Sequence, residues 1–325
     1  MDVGGDAPPG SSADAGDEHR SGFVAVVGRP NVGKSTLVNR ILGQKVTITS
    51  SRPNTTRRSV RGVLHGAGSQ AVFVDTPGLH RPKTELGRRL NERVGDALED
   101  VDVVLAVLDA TEPVGPGDRM VLSRAVAGRA SARDQVPGGD DGPRAGPAGP
   151  PPVLVAVNKV DRASPAQVLE RLAEASDVVG SAGADAEYFP VSATTGEGVG
   201  ALVAAVLDLL PPGPRYFPVG MVSDMPEHFW VAELVREQLL ARVHEELPHA
   251  IACRVTEWEW PRIRVDIVVE RESQKGIVIG RAGAVLKDVG TAVRAQLPPG
   301  AFLELHVRVD KHWQQRSDVI ERLGY

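Results

Sequence analysis

With 325 residues and 42 % hydrophobic composition, the chain is long enough for two globular domains. A formal charge of −5 excludes a whole-molecule nucleic-acid magnet, so any RNA contact must be local. The single cysteine, Cys253, excludes an internal disulfide and reads as small core filler. No stretch is long and apolar enough for a membrane helix and the start is no signal sequence, so a cytoplasmic location is expected.

Residues 1–20 carry Gly, Ala, Ser, Pro and Asp with few bulky apolar groups, and read as a disordered tail. The apolar run 23–27 predicts a buried strand. Directly after it stands Gly28-Arg29-Pro30-Asn31-Val32-Gly33-Lys34-Ser35, leading through Thr36 into a helix ending at Leu42. GxxxxGK[ST] between strand and helix points consecutive backbone N–H groups at one anion. Lys34 would add charge toward the terminal phosphates, and Ser35 a hydroxyl for Mg²⁺. The expectation is a nucleoside triphosphate site.

The polar stretch Asn54-Thr55-Thr56-Arg57-Arg58 precedes a strand over 59–64. One threonine there should complete the Mg²⁺ shell; Thr56 is favoured over Thr55. A further strand, 71–74, ends in Asp75-Thr76-Pro77-Gly78. Asp75 would hold Mg²⁺ through water and the Gly78 N–H would sense the γ-phosphate, making 44–58 and 76–90 the segments that order and release with hydrolysis. Leu79 follows Gly78 where a glutamine would orient water, so the intrinsic rate should be low. Asn31 is a candidate for recruiting K⁺ beside the phosphates; the alternative is that it merely braces the loop.

Strand 103–108 and helix 118–130 come next, then 131–152, rich in Gly and Pro, which reads as a solvated insertion. Strand 153–157 ends in Asn158-Lys159-Val160-Asp161. NKxD at a late strand end suits guanine: the Asp161 carboxylate accepts from the ring N–H and the exocyclic amino group. Lys159 would lie along the base, and Asn158 would tie loops together. Val191-Ser192-Ala193 should supply a backbone N–H to the guanine carbonyl. Helices are expected at 165–175 and 200–210, and the alternation predicts an α/β, doubly wound, mostly parallel sheet over 21–213.

After a proline-bearing linker, 214–223, the order changes to helix (229–244), strand (250–259), strand (262–270), a helical pair, strand (302–309) and helix (313–323). The pair surrounds Gly280-Arg281-Ala282-Gly283, and GxxG between short apolar helices is the mark of the KH module, whose groove takes about four unstacked bases. Lys275, Ile279, Lys287 and Arg294 surround that turn and, with it, predict an RNA contact within 224–325, a smaller α+β domain of the type II KH kind. Trp258, Trp260 and Trp313 are assigned to packing rather than base stacking, and the two domains are expected to keep separate cores.

A phosphate-loop domain followed by a KH domain resembles the bacterial Era GTPases over 21–325. The resemblance rests on Gly28 to Ser35, Gly43-Gln44-Lys45, Thr55-Thr56-Arg57, Asp75 to His80, Asn158 to Asp161, Gln274 to Gly283 and Leu323-Gly324-Tyr325. It implies a monomer that hydrolyses GTP to GDP, grips the single-stranded 3′ end of 16S rRNA and acts in 30S subunit assembly. It also implies peripheral association with the inner membrane. Asn54, where the family carries glutamine, and the 131–152 insertion depart from the pattern. The rivals are a GTP-dependent RNA-modification factor and an RNA-binding scaffold with a structural nucleotide site. The first usually carries a C-terminal cysteine and an N-terminal cofactor domain, and this chain has neither.

Overall fold

The computed structural model describes residues 19–50, 52, 55–79, 82, 84–99, 101–134, 151–243 and 247–325. The expected tail (to residue 18), most of the insertion (135–150), Asn54 and His80 lie outside them.

The first domain alternates as the apolar runs dictate. Its elements are β1 (Arg20–Gly28), α1 (Lys34–Leu42), β2 (Val60–Gly66), β3 (Ser69–Asp75), α2 (Glu85–Glu99), β4 (Val103–Asp109) and α3 (Pro116–Asp134). They continue with β5 (Val153–Asn158), α4 (Pro165–Ser181), β6 (Ala186–Val191) and α5 (Val199–Asp208). The sheet order is β2-β3-β1-β4-β5-β6, parallel throughout except for β2, which runs antiparallel to β3. β1, β4 and β5 are apolar at nearly every position because both faces are covered. Val24, Val26, Leu105 and Leu154 pack on α1 and α5, while Ala25, Val27, Val104 and Val155 pack on α2, α3 and α4. The sheet begins earlier than the sequence suggested: Arg20 is already in β1, and His19 Nδ1 pairs with Gly213 O at 3.0 Å.

The second domain comprises α6 (Glu227–Leu240), a single turn α7 (Leu247–Ala250), β7 (Ala252–Glu259), β8 (Arg262–Val269), α8 (Glu272–Ile279), α9 (Ala284–Arg294), β9 (Phe302–Val309) and α10 (Ser317–Arg322). Its three strands run β7-β8-β9, antiparallel then parallel, with α6, α8 and α9 on one face. Cys253 sits in that core, and burial pushes its thiol up to about 12. The expected helix 313–323 is broken: a 3₁₀ turn over Trp313–Gln315 is separated from α10 by Arg316 in an extended conformation.

One expectation about domain separation fails. The linker is strapped to the sheet: Val63 N donates to Val222 O at 2.8 Å, and Gln70 Oε1 accepts from Tyr216 N and Phe217 N at 2.8 and 3.0 Å. The cores, however, are not separate. Leu86 and Leu90 of α2 share one buried cluster with Ala252, Trp313, Val319, Ile320, Leu323 and Tyr325. Apolar side chains on the outer face of α2 needed a cover, and the carboxy-terminal turn supplies it.

Candidate nucleotide and RNA sites

At the carboxyl ends of β1, β3 and β5, where open α/β sheets leave their crevice, lies a cleft of about 450 Å³. Asn31, Lys34, Ser35, Thr56, Gly78, Asn158, Lys159 and Ala193 all line it, with Pro30, Gly33 and Thr36. The loop between β1 and α1 turns through positive φ at Asn31 (67°) and Gly33 (98°). A Cβ on Gly33 would lie 2.3 Å from Asn158 Nδ2, so only glycine lets the guanine-motif asparagine approach this loop. Gly78 is also too close for a side chain: a Cβ there would stand 2.7 Å from Pro30 N.

Lys34 folds back over the loop and donates to Gly28 O at 3.1 Å and Arg29 O at 2.9 Å. Burial pushes its ammonium down to about 8, opposed by the Asp75 carboxylate. Asp75 is fully buried at the end of β3, and burial raises its pKa against the pull of Lys34 and three hydroxyls. Those hydroxyls are Ser35, Thr47 and Thr56, at 2.7, 3.0 and 3.3 Å from Oδ2. Ser35 Oγ and Thr56 Oγ1 are themselves 2.9 Å apart. Asp75 Oδ1 is buried with no protein partner. This all-oxygen set, short of one partner, could hold a small hard cation, which takes few protein ligands and completes its shell with phosphate oxygen and water. Thr55 is turned elsewhere, donating to Arg52 O at 2.7 Å. The sequence missed Thr47, because nothing in its local pattern brings it to Asp75.

At the other end, Asn158 ties three loops: Nδ2 donates to Val32 O at 2.8 Å and Oδ1 accepts from Ala193 N at 2.9 Å. That bond revises one expectation. The Ala193 N–H is already engaged by Asn158, so any base carbonyl must share it. Lys159, at positive φ, donates to Asn31 O at 2.8 Å and Asp109 Oδ2 at 2.5 Å. Although burial opposes it, hydrogen bonds from Lys159 and Thr111 hold the Asp109 carboxyl below its ordinary range. Asp109 was not foreseen; its position at the end of β4 was the only clue. Asp161 does not line the cleft but is anchored beside it, with Oδ1 accepting from Ser192 Oγ at 2.6 Å.

The remaining expected residues do not line the cleft. Arg29 points away, to Asp118 at 2.7 Å and Glu112 at 2.8 Å. The Val32 side chain and Pro77 are buried, and Thr76 Oγ1 donates to Val26 O at 2.8 Å. Leu79 is 1 % exposed and packs with Val27, Val94 and Val104, while its N–H donates to Gly28 O at 3.2 Å.

In the second domain Gly280 and Gly283 both have positive φ, 72° and 79°, as does Ala282 at 51°. A Cβ on Gly280 would lie 2.6 Å from Val285 Cγ2 and 2.9 Å from its backbone N, so the turn closes tightly on α9. Arg281, Ala282, Lys287 and Arg294 are exposed, and Lys275 and Ile279 half-buried. Ile277 of α8, not singled out beforehand, is 56 % exposed beside them. Trp313 is buried as expected, but Trp260 is 52 % exposed at the β7–β8 turn.

Comparison with known proteins agrees with this geometry. Residues 23–133 match a family model described as 50S ribosome-binding GTPase, and 246–314 match a KH-domain model. The chain is 43 % identical over 321 residues to GTPase Era of Mycolicibacterium smegmatis, covering 95 % of this chain and 99 % of that one. It is 44 % identical over 320 residues to GTPase Era of Mycobacterium avium, with the same coverage of 95 % and 99 %. Two solved structures are similar along 94 % of this chain and 99 % of theirs at 34 % identity. One is an Aquifex aeolicus Era variant bound to GDP·AlF₄⁻, with a TM-score of 0.82. The other is Era with MgGDPNP and nucleotides 1506–1542 of 16S ribosomal RNA, with a TM-score of 0.80.

Proposed function

This chain belongs to the Era family of GTPases, and on that premise we propose that it couples GTP hydrolysis to gripping single-stranded 16S rRNA during 30S subunit assembly. The observation that carries the reading is the meeting of Ser35, Thr56 and Asp75 within 3.3 Å at one end of a cleft closed at the other by Asn158 and Lys159. The guanine base lies against Lys159, with Asp161 accepting its two N–H donors. The phosphates lie under the 28–36 loop, met by its N–H groups and by Lys34 leaving its loop carbonyls. Mg²⁺ would be held by Ser35, Thr56 and Asp75. When bound it would supply charge neutralisation on the phosphate oxygens.

Binding GTP orders Thr56 and Gly78 around the γ-phosphate, and losing it frees the 44–58 and 76–90 segments. Asn31 would hold K⁺, which would supply further positive charge to the phosphates. RNA backbone passes over Gly280 to Gly283, with Lys275, Arg281 and Lys287 neutralising phosphates and Ile277 and Ile279 forming the apolar wall for the bases. The protein acts in the cytoplasm, with the peripheral membrane attachment that the resemblance implies. Among the described residues no helix is long and apolar enough to cross a membrane.

The deciding experiment measures binding of a single-stranded oligonucleotide matching the 16S rRNA 3′ end, together with phosphate release in its presence and absence. Binding that prefers this strand over its duplex, and tightens with a GTP analogue, is expected. Equal affinity for single strand and duplex would sink the RNA half of the reading.

A further inference from the structure

The residues flanking Thr56 are held by the RNA-binding domain. On one side, the Thr55 carbonyl accepts from Arg236 Nη2 of α6. On the other, Arg57 Nη1 donates to Ile251 O at 2.6 Å, just before β7. The Arg57 guanidinium lies 5.6 Å from the ring centre of Trp313 and 5.4 Å from that of Tyr325. Farther back, Glu237 of α6 accepts from Lys45 Nζ at 2.5 Å and from Thr49 N at 2.9 Å. The segment expected to order and release with hydrolysis is thus gripped at several points by the other domain.

Arg57 is the point where the nucleotide domain itself supplies the buried cation. It is 2 % exposed, and so deep a guanidinium is costly unless its charge is met. Here two aromatic faces and a carbonyl meet it, and the cage is itself built firmly. Trp313 Nε1 donates to Ala250 O at 2.9 Å, and Tyr325 N donates to Ile320 O at 3.0 Å. Domain cohesion alone would be served as well by an apolar side chain, as it is at Leu86 and Leu90. What an arginine adds is a fixed direction, because fork and stack together allow one pose. That direction is imposed on the residue adjacent to Thr56.

We propose that Arg57, caged between Trp313 and Tyr325, is a positioning residue for the triphosphate site. The carboxy-terminal turn of the RNA-binding domain fixes the backbone at Thr56 so that its hydroxyl stays beside Ser35 and Asp75. The inference rests on the reading of Thr56 as a ligand made only in the triphosphate state. It follows that damage to the cage weakens triphosphate binding and spares diphosphate binding, and that both effects originate outside the nucleotide domain.

The test uses the full chain, Mg²⁺, and fluorescent forms of GDP and a non-hydrolysable GTP analogue. Arg57→Gln should weaken the analogue about 10-fold, the loss of a desolvated cation–π contact, and leave GDP within about 2-fold. Arg57→Lys, which keeps the cation but not the fork, should fall between. Tyr325→Leu approaches the same contact from the other side, keeps an apolar group in the cage, and should reproduce the pattern if Arg57→Gln folds poorly. The Mg²⁺ concentration for half-maximal analogue binding should rise in each, and binding of the single-stranded oligonucleotide should be retained. Equal losses for both nucleotides, or none, in the folded variants would overturn the inference. Thr56→Ala separates the two ideas. If it spares the analogue, the reading of Thr56 fails and this inference with it; if it discriminates while Arg57→Gln does not, the inference alone fails.

Discussion

Asp161→Asn tests the guanine assignment at the level of single hydrogen bonds. Ser192 Oγ already donates to Asp161 Oδ1 at 2.6 Å, so one oxygen is committed. An asparagine would keep its carbonyl oxygen on Ser192 and turn its NH₂ to where Oδ2 stands. That NH₂ would face the two N–H donors of guanine, replacing two charge-assisted bonds with a donor–donor clash. At about 1.5–3 kcal/mol for each bond, the loss is ~3–6 kcal/mol, or roughly 10²- to 10⁴-fold in GTP affinity. Xanthine carries a carbonyl in place of the exocyclic amine, so the same variant should gain affinity for the xanthine nucleotide. Titration of the fluorescent guanine and xanthine nucleotides would measure both changes. Ser192→Ala, which only unpins Asp161, should cost less and leave the preference for guanine intact. A variant that binds GTP as tightly as the parent would show that Asp161 does not read the base.

Other outcomes follow from the same contacts. Lys34→Ala and Ser35→Ala should each abolish turnover while circular dichroism stays unchanged, and parental turnover in either would remove the phosphate-loop reading. Replacing K⁺ by Na⁺ at constant ionic strength should slow hydrolysis, and Asn31→Ala should erase the difference; equal rates in both salts would end that idea. Gly280→Ala should lower the melting temperature of the second domain more than Gly283→Ala. Both residues have positive φ, but only the first would drive a Cβ to 2.6 Å from Val285. Changing Arg281 and Ala282 together to Asp should weaken single-stranded RNA binding at least ~10-fold, more at low salt, where repulsion is less screened. Unaltered RNA affinity in that folded double variant would mean the glycine turn is only a helix connection.

What could be read from the sequence was what contiguous residues carry. The strand–loop–helix around Lys34, the aspartate ending β3 and the NKxD ending β5 are each local patterns at strand ends, and the structure brings them to one cleft. Thr47 and Asp109 were invisible, because their importance lies in partners that other elements supply. Arg57 and Arg58 looked like part of a polar loop, since charge in sequence normally signals exposure. The burial of Arg57 and the partial burial of Arg58 depend on Phe229, Ile251, Trp313 and Tyr325, all from the other domain. The break before α10 was hidden for a related reason. Trp313, Val319, Ile320 and Leu323 all face one core, as a single helix would arrange them, yet extended Arg316 splits the run.

The placement of charge around the cleft bears on how turnover is assisted. Three side chains stand close enough in sequence to have been arranged for it, and each is committed elsewhere. Leu79 is sealed in the core and has no polar atom to orient water. Arg29 is locked between Asp118 and Glu112 on the far side of the loop, so swinging it toward the phosphates would forfeit two ion pairs. Arg57 is enclosed by aromatic rings and a carbonyl. Lys34 has a short path, since it donates to loop carbonyls at 3.1 and 2.9 Å, and Arg162 also lines the cleft. Such cations answer the charge of bound phosphates but do not position an attacking water. On the reading proposed above, a site so furnished should release phosphate slowly by itself and faster when the single-stranded oligonucleotide is added, and a rate indifferent to that strand would refute the coupling.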